Sequence, residues 1–267
     1  MRLNKFIAHN SKFSRREADK LIFEGRVKIN GKTVETPAVE VTDKMKISIN
    51  GKAVYKKSEY TVVVYNKPKG ELVTTSDPRG RKTIYHSLGG NFKGYTPVGR
   101  LDYASEGVLI LSNAIDIVDK LMKSDLERVY KIKVSGRVGE NVIEAMEKGL
   151  QIRGSNLGAF EGTEIRDMDI EPFKWFDIAK SNKNYSILKV AITEGKNREL
   201  RRFFAHFNLE VLDLKRVSYG WVNLNALPTG KRRFFSKEEY DELRNFLKSD
   251  EKKKRKERES EKSIEVD

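Results

Sequence analysis

The sequence predicts an α+β fold made of two domains, a small N-terminal one and a larger one that ends near Leu247. Two amphipathic segments and an alternating hairpin pattern open the chain. A β-branched run, TVVVYNKPKG, then starts a second series of elements. Helical and strand patterns mix there without the regular alternation of a doubly wound sheet, which favours α+β over α/β. The 267 residues are 38% hydrophobic, enough to support packed cores.

The first fifty residues predict two short helices followed by a hairpin. Leu3, Phe6 and Ile7 share one face of the first helix. Ser14 and Glu17 form a capping box at the start of the second, in which each side chain bonds the other residue's backbone amide. The second helix buries a stripe made of Ala18, Leu21 and Ile22.

The hairpin VKINGKTV turns at Asn30-Gly31, the preferred pair for a two-residue turn. Basic residues crowd around the second helix and this hairpin, and they are the candidate binding residues of the domain: Lys12, Arg15, Arg16, Lys20, Arg26 and Lys28. The alternative is an amphipathic helix pair with a solvated charged face. Capping box, hairpin and basic cluster occur together, which argues against this alternative.

We expect the first domain to span residues 1–49, a linker 50–58, the second domain 59–247 and a charged, disordered tail 248–267. In the helix at AIDIVDKLMKS, the buried face is predicted to hold Ile117, Leu121 and Met122. The second domain's other main elements are strands at TVVVY, GVLILSN, RVYKIKVSG, YSILKVAITEG and EVLDLKRVSYGWVNL, and helices at NVIEAMEKGLQI, NRELRRFFAHFN and SKEEYDELRNFL.

The net charge of +14 lies almost entirely outside the tail, whose eight basic and seven acidic residues contribute only +1. A basic folded part indicates a polyanionic partner and favours nucleic acid over a membrane surface. The absence of cysteine excludes disulfides, thiolate chemistry and Cys-ligated metals. No apolar run approaches the ~20 residues of a membrane span, and no secretory signal opens the chain, so we expect a cytoplasmic protein.

The stretch GRLDYASEGVLILSN, residues 99–113, places Asp102 just ahead of a buried strand. In isolation, such an aspartate is most simply a turn residue. Here Arg100 stands two positions before it, and Gly99 and Gly107 bracket the loop. A nearby cation favours the ionised carboxylate, which is a competent nucleophile. No histidine or carboxylate cluster accompanies Asp102, which argues against a metal site.

These motifs resemble those of a known family. LNKFIAHNSKFSRREADKLIFEGRVKINGKTV resembles the RNA-binding domain named after ribosomal protein S-four. GRLDYASEGVLILSN, VYKIKV and EGKNRELRRF resemble, in order, the motifs of the RsuA/RluB-type ribosomal RNA pseudouridine synthases, and KPKGELVTTSDPRGRKTIYHSL is most similar to the RluB branch. The resemblance implies a mixed, largely antiparallel sheet in the second domain, and an isomerase that converts a uridine of ribosomal RNA to pseudouridine.

The resemblance also implies site residues. Asp102 is the essential carboxylate, acting either as a nucleophile or by stabilising and deprotonating the sugar. Tyr130 faces the uracil, Arg201 pairs with Asp102, and Leu200 forms an apolar wall for the base. Arg100 either fills the space left by the flipped base or neutralises a phosphate or Asp102. A core tyrosine and a solvated arginine are the alternatives for Tyr130 and Arg201.

The resemblance implies a structured stem-loop of large-subunit ribosomal RNA as the partner, free or in an assembling ribosomal particle, with no cofactor and no metal. We expect a monomer that does not bind membranes. Two alternatives stay open at this point. One is an inactive RNA-binding or ribosome-assembly factor. The other is the same enzyme acting on small-subunit ribosomal RNA or transfer RNA.

Overall fold

The computed structural model describes residues 1–11, 13–42, 44–55, 60–159 and 162–264. The chain divides into two compact units, of which the first comprises Met1–Thr61 with Asn113–Ile115 and the second the remainder. No helix in these described ranges is long and apolar enough to cross a membrane.

The first unit packs two helices on a four-stranded antiparallel sheet of order β2-β1-β3-β4. The predicted capping box is confirmed, since the amide of Glu17 donates to Ser14 Oγ and the amide of Ser14 donates to Glu17 Oε2. Both predicted apolar stripes are buried. The elements are α1 Leu3–Asn10, α2 Arg15–Phe23, β1 Val27–Ile29, β2 Lys32–Thr33, β3 Ile47–Ile49 and β4 Lys52–Val54.

Two Asn-Gly turns shape this sheet, one of which the sequence analysis used. Asn30 and Gly31 both have positive φ, as the predicted hairpin requires. Asn50 and Gly51 adopt the same conformation, with φ of 51° and 76°, and join β3 to β4. The predicted linker 50–58 is therefore wrong in its first part, because β4 belongs to the sheet of the first unit. Residues 56–59 of that linker lie outside the described residues.

The second unit is built on a nine-stranded sheet with a two-stranded sheet beside it. Its strands are β5 Val62–Lys67, β6 Thr96–Pro97, β7 Glu106–Ser112, β8 Arg128–Ser135, β9 Leu150–Ile152, β10 Met168–Ile170, β11 Trp175–Ser181, β12 Tyr185–Ile192, β13 Val211–Tyr219, β14 Val222–Asn223 and β15 Arg232–Phe234. Its helices are α3 Ile84–Leu88, a 3₁₀ turn Gly90–Phe92, α4 Ile115–Met122, α5 Glu140–Lys148, α6 Glu199–His206 and α7 Lys237–Ile264.

The main sheet has the order β11-β12-β8-β13-β7-β5-β15, with β14 added to β13 and β6 to β7. All of its pairings are antiparallel except that of β13 with β7. Such mixed connectivity places the unit in the α+β class, as the sequence predicted.

The two faces of β8 differ in character. Tyr130, Ile132 and Val134 are buried in the main apolar cluster, where side chains of α5 and α6 join them. Lys131 and Lys133 alternate with them and are exposed on the other face. The sheet therefore has a covered face that holds Tyr130, and a lysine-bearing face behind it.

Two sequence predictions differ from the structure. In α4 the buried residues are Ile117, Val118 and Leu121, whereas Met122 is 49% exposed. At 100° per residue, Met122 lies about 140° around the helix from Ile117. The second difference is the tail, for which disorder was expected from Lys248. The structure instead continues α7 to Ile264, in keeping with the high helix propensity of Lys, Arg and Glu.

Candidate active site

Asp102 lies in the loop that leads into β7, and this loop forms a tight turn. The amide of Ser105 donates to the carbonyl oxygen of Asp102 at 3.0 Å, which closes the turn. Gly99, with φ of +72°, redirects the chain ahead of it. The Asp102 side chain is 33% exposed, so the turn presents a carboxylate that solvent or a ligand can reach.

Lys67, the last residue of β5, anchors the same turn from below. Its side chain is fully buried, and its Nζ donates to the carbonyl oxygens of Pro68 at 2.9 Å, Asp102 at 3.1 Å and Ser105 at 2.9 Å. Burial lowers the pKa of Lys67 to about 8, although three nearby carboxylates act in the opposite direction. The ammonium thus fixes the backbone on which the Asp102 carboxylate is mounted.

Two arginines at the start of α6 hold the carboxylate itself. Arg201 Nε lies 3.3 Å and Arg198 Nη1 3.4 Å from the same oxygen, Oδ2 of Asp102. Arg198 precedes the helix in a left-handed conformation, with φ of 51°. Arg201 also donates to Ser105 Oγ at 3.2 Å. Burial lowers the pKa of Arg201, and the charge of Asp102 opposes that shift.

A cavity of about 620 Å³ opens beside Asp102, within the range of about 300–1,000 Å³ typical of small-molecule sites. Buried Tyr130 and Leu200 line it as an aromatic and an apolar wall. Arg216 of β13 lies next to the tyrosine, with its Nη1 3.5 Å from Tyr130 Oη, and its Nε donates to the Val108 carbonyl oxygen at 2.7 Å. The arrangement suits a planar ring beside a carboxylate.

Gly107 permits the close approach of β7 and β13 that brings these parts together. Its φ is +110°, and a Cβ there would lie 2.0 Å from the carbonyl oxygen of Arg216. Any larger residue would force the two strands apart or distort the start of β7. The glycine that brackets the Asp102 loop in the sequence is therefore required by packing and by conformation.

The cavity carries a surplus of positive charge. Seven basic side chains line it against four acidic ones, a surplus of three. Burial also raises the pKa of the acidic Glu199. The charged lining consists of Arg100, Lys123, Arg128, Lys196, Arg198, Arg201, Arg216, Asp102, Asp125, Glu194 and Glu199. Such a lining attracts a polyanion.

The structure brings the predicted residues Asp102, Tyr130, Leu200 and Arg201 to one cavity. Arg100 is exposed at the same cavity. The ion pairs of Asp102 in the described part of the chain are with Arg198 and Arg201, so a role of Arg100 in neutralising Asp102 stays a prediction.

The predicted binding residues of the first unit are exposed wherever they are described. Arg26 donates to Asn50 Oδ1 and to Glu24, and Lys20 lies 3.8 Å from Glu24. Lys12 lies outside the described residues. The exposed set is Arg15, Arg16, Lys20, Arg26 and Lys28.

Sequence reasoning missed Lys67, Arg198 and Arg216. The spacing of Arg198 and Arg201, three apart at a helix start, was a usable signal because such residues share a face. Lys67 ends an apolar strand, a weaker signal. Arg216 reaches the site only through strand pairing, which no local pattern reveals. Within the described ranges, no group of three His, Cys, Asp or Glu side chains could hold a metal ion.

Comparisons with known proteins agree with this geometry. A sequence model of the family described as RNA pseudouridylate synthase matches residues 61–206, and that of the S4 domain matches residues 1–47. Both matches fall where the sequence analysis had placed the corresponding resemblance.

Relatives and one solved structure match most of the chain. An "uncharacterized RNA pseudouridine synthase" of Helicobacter pylori (strain ATCC 700392 / 26695) is 49% identical over 249 residues, which cover 92% of this chain and 95% of the relative. "Ribosomal large subunit pseudouridine synthase B" of Bacillus subtilis (strain 168) is 34% identical over 245 residues, which cover 91% of this chain and 95% of the relative. A crystal structure of a pseudouridylate synthase superimposes with a TM-score of 0.61 at 25% identity and covers 91% of this chain and 99% of that one.

Proposed function

Because this chain belongs to the RNA pseudouridylate synthase family, we propose that it isomerises one uridine of large-subunit ribosomal RNA and that Asp102 is its essential carboxylate. The family membership makes the protein an RNA-modifying isomerase of the RsuA/RluB type, with an N-terminal S4 domain. The particular RNA and the roles of individual residues are the proposal.

The observation that carries the proposal is the environment of Asp102. Both arginine contacts fall on Oδ2, and among the described residues Oδ1 has no partner. The arginines fix the side-chain orientation, while Oδ1 stays available to a ligand in the cavity. A turn-capping aspartate would use its oxygens on nearby backbone amides instead.

The reaction breaks the bond between N1 of uracil and C1′ of ribose, and joins C5 to C1′. The C5 proton is lost and N1 gains one, so atoms and electrons balance without an oxidant. Oδ1 would act in one of two ways: it adds to the sugar or base, or it stabilises the sugar as the base detaches. In the second route, Tyr130 would remove a sugar proton.

The target base must leave its stack to reach this cavity, at a cost of a few kcal/mol. Arg100 is exposed at the cavity rim and has no ion-pair partner in the described part of the chain. It is therefore available to stack in the vacated space or to meet a phosphate. Leu200 and Tyr130 would enclose the flipped uracil between an apolar and an aromatic surface.

The choice of large-subunit RNA rests on the Bacillus subtilis relative, whose name states that target. The basic residues of the first unit would hold the RNA by phosphate contacts, which position without reading sequence. The proposal includes a monomer acting in the cytoplasm, on free RNA or on an assembling ribosomal particle. Small-subunit RNA and transfer RNA are the competing substrates.

The deciding experiment replaces Asp102 by Asn, which keeps the shape and removes the charge. We expect loss of tritium release from [5-³H]uridine-labelled ribosomal RNA, with RNA affinity retained. Turnover near the wild-type rate would remove Asp102 from its role. Pseudouridine mapping in cells lacking the protein identifies the substrate RNA. Loss of a pseudouridine from small-subunit or transfer RNA would overturn the large-subunit assignment, but not the proposed reaction.

A further inference from the structure

The face of the main sheet behind Tyr130 carries lysines in register across neighbouring strands. Lys131 of β8 pairs with Lys189 of β12 on one side and with Lys215 of β13 on the other. Paired residues of antiparallel strands share a face. Lys133 lies two residues along β8 on this face and pairs with Ile187, which in turn pairs with Lys180 of β11. We call these five residues the lysine face: Lys131, Lys133, Lys180, Lys189 and Lys215.

This row of like charges lowers the free energy of unfolding of the protein when no ligand is bound. Like charges directly opposite one another destabilise a sheet, and Lys131 stands between two of them. Acidic residues occur only at the ends of its row. Glu106 lies 3.4 Å from Lys215, and Asp177 is in register with Lys189. Among the described residues, Lys131 itself has no ion-pair partner.

Acidic residues do not cancel the rest of the face. Asp213 is in register with Lys133 but lies 2.7 Å from Lys69. With that pair balanced, the five lysines stand against Glu106, Asp177 and Glu127, whose Oε2 accepts from Trp175 Nε1 at 3.2 Å beside Lys189. A surplus of two positive charges is left.

Aromatic rings lie beneath several of these ammonium groups. Lys133 and Lys180 lie 4.5 and 4.7 Å from the ring centre of Tyr185, and Lys189 lies 5.6 Å from that of Trp175. Cation–π contacts of this kind restrict where a lysine head group can be. The charges are thus held over the sheet rather than spread through solvent.

We propose that the lysine face binds the phosphate backbone of a segment of the substrate RNA that lies outside the target stem-loop. The inference rests on the proposed function, since it takes the same RNA as ligand. A polyanion relieves the repulsion among the lysines, which an apolar protein partner would not. Because the sheet separates this face from the catalytic cavity, the RNA must pass around a sheet edge, so a short stem-loop is too small to reach both.

The test compares two RNA lengths by equilibrium filter binding with the full chain. The variant is Lys131→Gln with Lys189→Gln. The probes are a full-length large-subunit ribosomal RNA transcript and a short stem-loop. We expect about tenfold weaker binding of the transcript and a salt slope reduced by about two, one per lost phosphate contact. Binding of the stem-loop stays unchanged.

A matched control changes two lysines on the other face, Lys93→Gln with Lys148→Gln. Both are exposed. Lys93 directly follows Phe92, and Lys148 is the last residue of α5, which also carries Met146; Phe92 and Met146 pack in the cluster that holds Tyr130. This control has the same net charge as the variant, so equal losses in both would indicate a general charge effect and overturn the proposal.

A stability measurement separates the proposal from a merely structural role. Lys131→Gln should raise the urea midpoint of the RNA-free protein, because it removes the repulsion, while it weakens binding of the transcript. Unchanged transcript affinity and salt slope in the double variant would overturn the proposal, as they would if the face served a protein partner. Binding is measured without turnover, so a failure of the proposed reaction leaves this comparison readable.

Discussion

Replacing Lys67 by Met tests the anchor beneath the catalytic turn. The variant leaves the carbonyl oxygens of Pro68 and Ser105 without this donor, at roughly 1–3 kcal/mol each. The Asp102 carbonyl oxygen loses one hydrogen bond, at about 1 kcal/mol, and keeps the Ser105 amide as a donor. The variant also no longer buries an ammonium. Burial lowers the pKa of Lys67 from 10.5 to about 8, so burying the charged form costs the wild type about 3 kcal/mol at pH 7, and the variant regains this free energy. We therefore expect a net loss of about 2 kcal/mol in urea unfolding at pH 7. Without its anchor the turn is less well fixed, so we also expect the single-turnover rate constant of tritium release to fall at least tenfold, with unchanged RNA affinity.

The pH dependence of that loss has a definite sign. Between pH 8 and 10.5 the unfolded wild type holds more protons at Lys67 than the folded protein, so the wild type's free energy of unfolding rises with pH. Met does not titrate. The stability difference between the two proteins should then widen by about 2 kcal/mol from pH 7 to 9.5. A flat difference would refute the lowered pKa, and an unchanged kcat would refute the anchoring role.

Three further changes probe other parts of the molecule. Gly107→Ala should cost about 3 kcal/mol or more in thermal unfolding, because its Cβ meets the Arg216 carbonyl. Gly51→Ala, at φ +76° in open space, should cost only about 1 kcal/mol, and equal costs would contradict the packing argument. Arg15→Ala with Arg16→Ala should weaken RNA binding and lower its salt slope by about two; an unchanged slope would exclude the first unit as a docking surface. Deleting residues 250–267 should leave turnover on naked RNA within about twofold, since that segment adds almost no net charge, and a larger loss would give the end of α7 a role in binding.

Local patterns were enough to predict the two helices and the first hairpin of the first unit. Ser14 and Glu17 are three residues apart, and Asn30 and Gly31 are adjacent. The interactions that form the capping box and the turn are therefore local in sequence. The same rule applied at Asn50-Gly51 would have extended the unit to β4. The error in the linker therefore came from an unused local signal and not from a tertiary effect.

The parts that escaped prediction depend on contacts between distant segments. Arg216 meets Tyr130 because β13 pairs with β8, and it meets Val108 because β13 lies parallel to β7. Neither pairing leaves a trace in nearby residues. Two of the three acceptors of buried Lys67 come from a loop more than thirty residues later. A charged residue at a strand end is ordinarily exposed, so its local pattern pointed the wrong way.

The cations around the catalytic turn have different roles, because they contact different atoms. Among the described residues, Lys67 donates only to backbone carbonyls, so its charge sets where the turn lies. Arg198 and Arg201 contact the carboxylate, so they set its orientation. Because both arginines meet Oδ2, their removal and the removal of Lys67 should have different signatures. Loss of Arg198 loosens the carboxylate on a fixed turn, whereas loss of Lys67 displaces the turn with the carboxylate still paired. Loss of Arg201 does both, because Arg201 also donates to Ser105 Oγ in the turn. A site built on one of these devices alone would leave either the position or the orientation of Oδ1 undetermined, and attack on a single sugar carbon requires both.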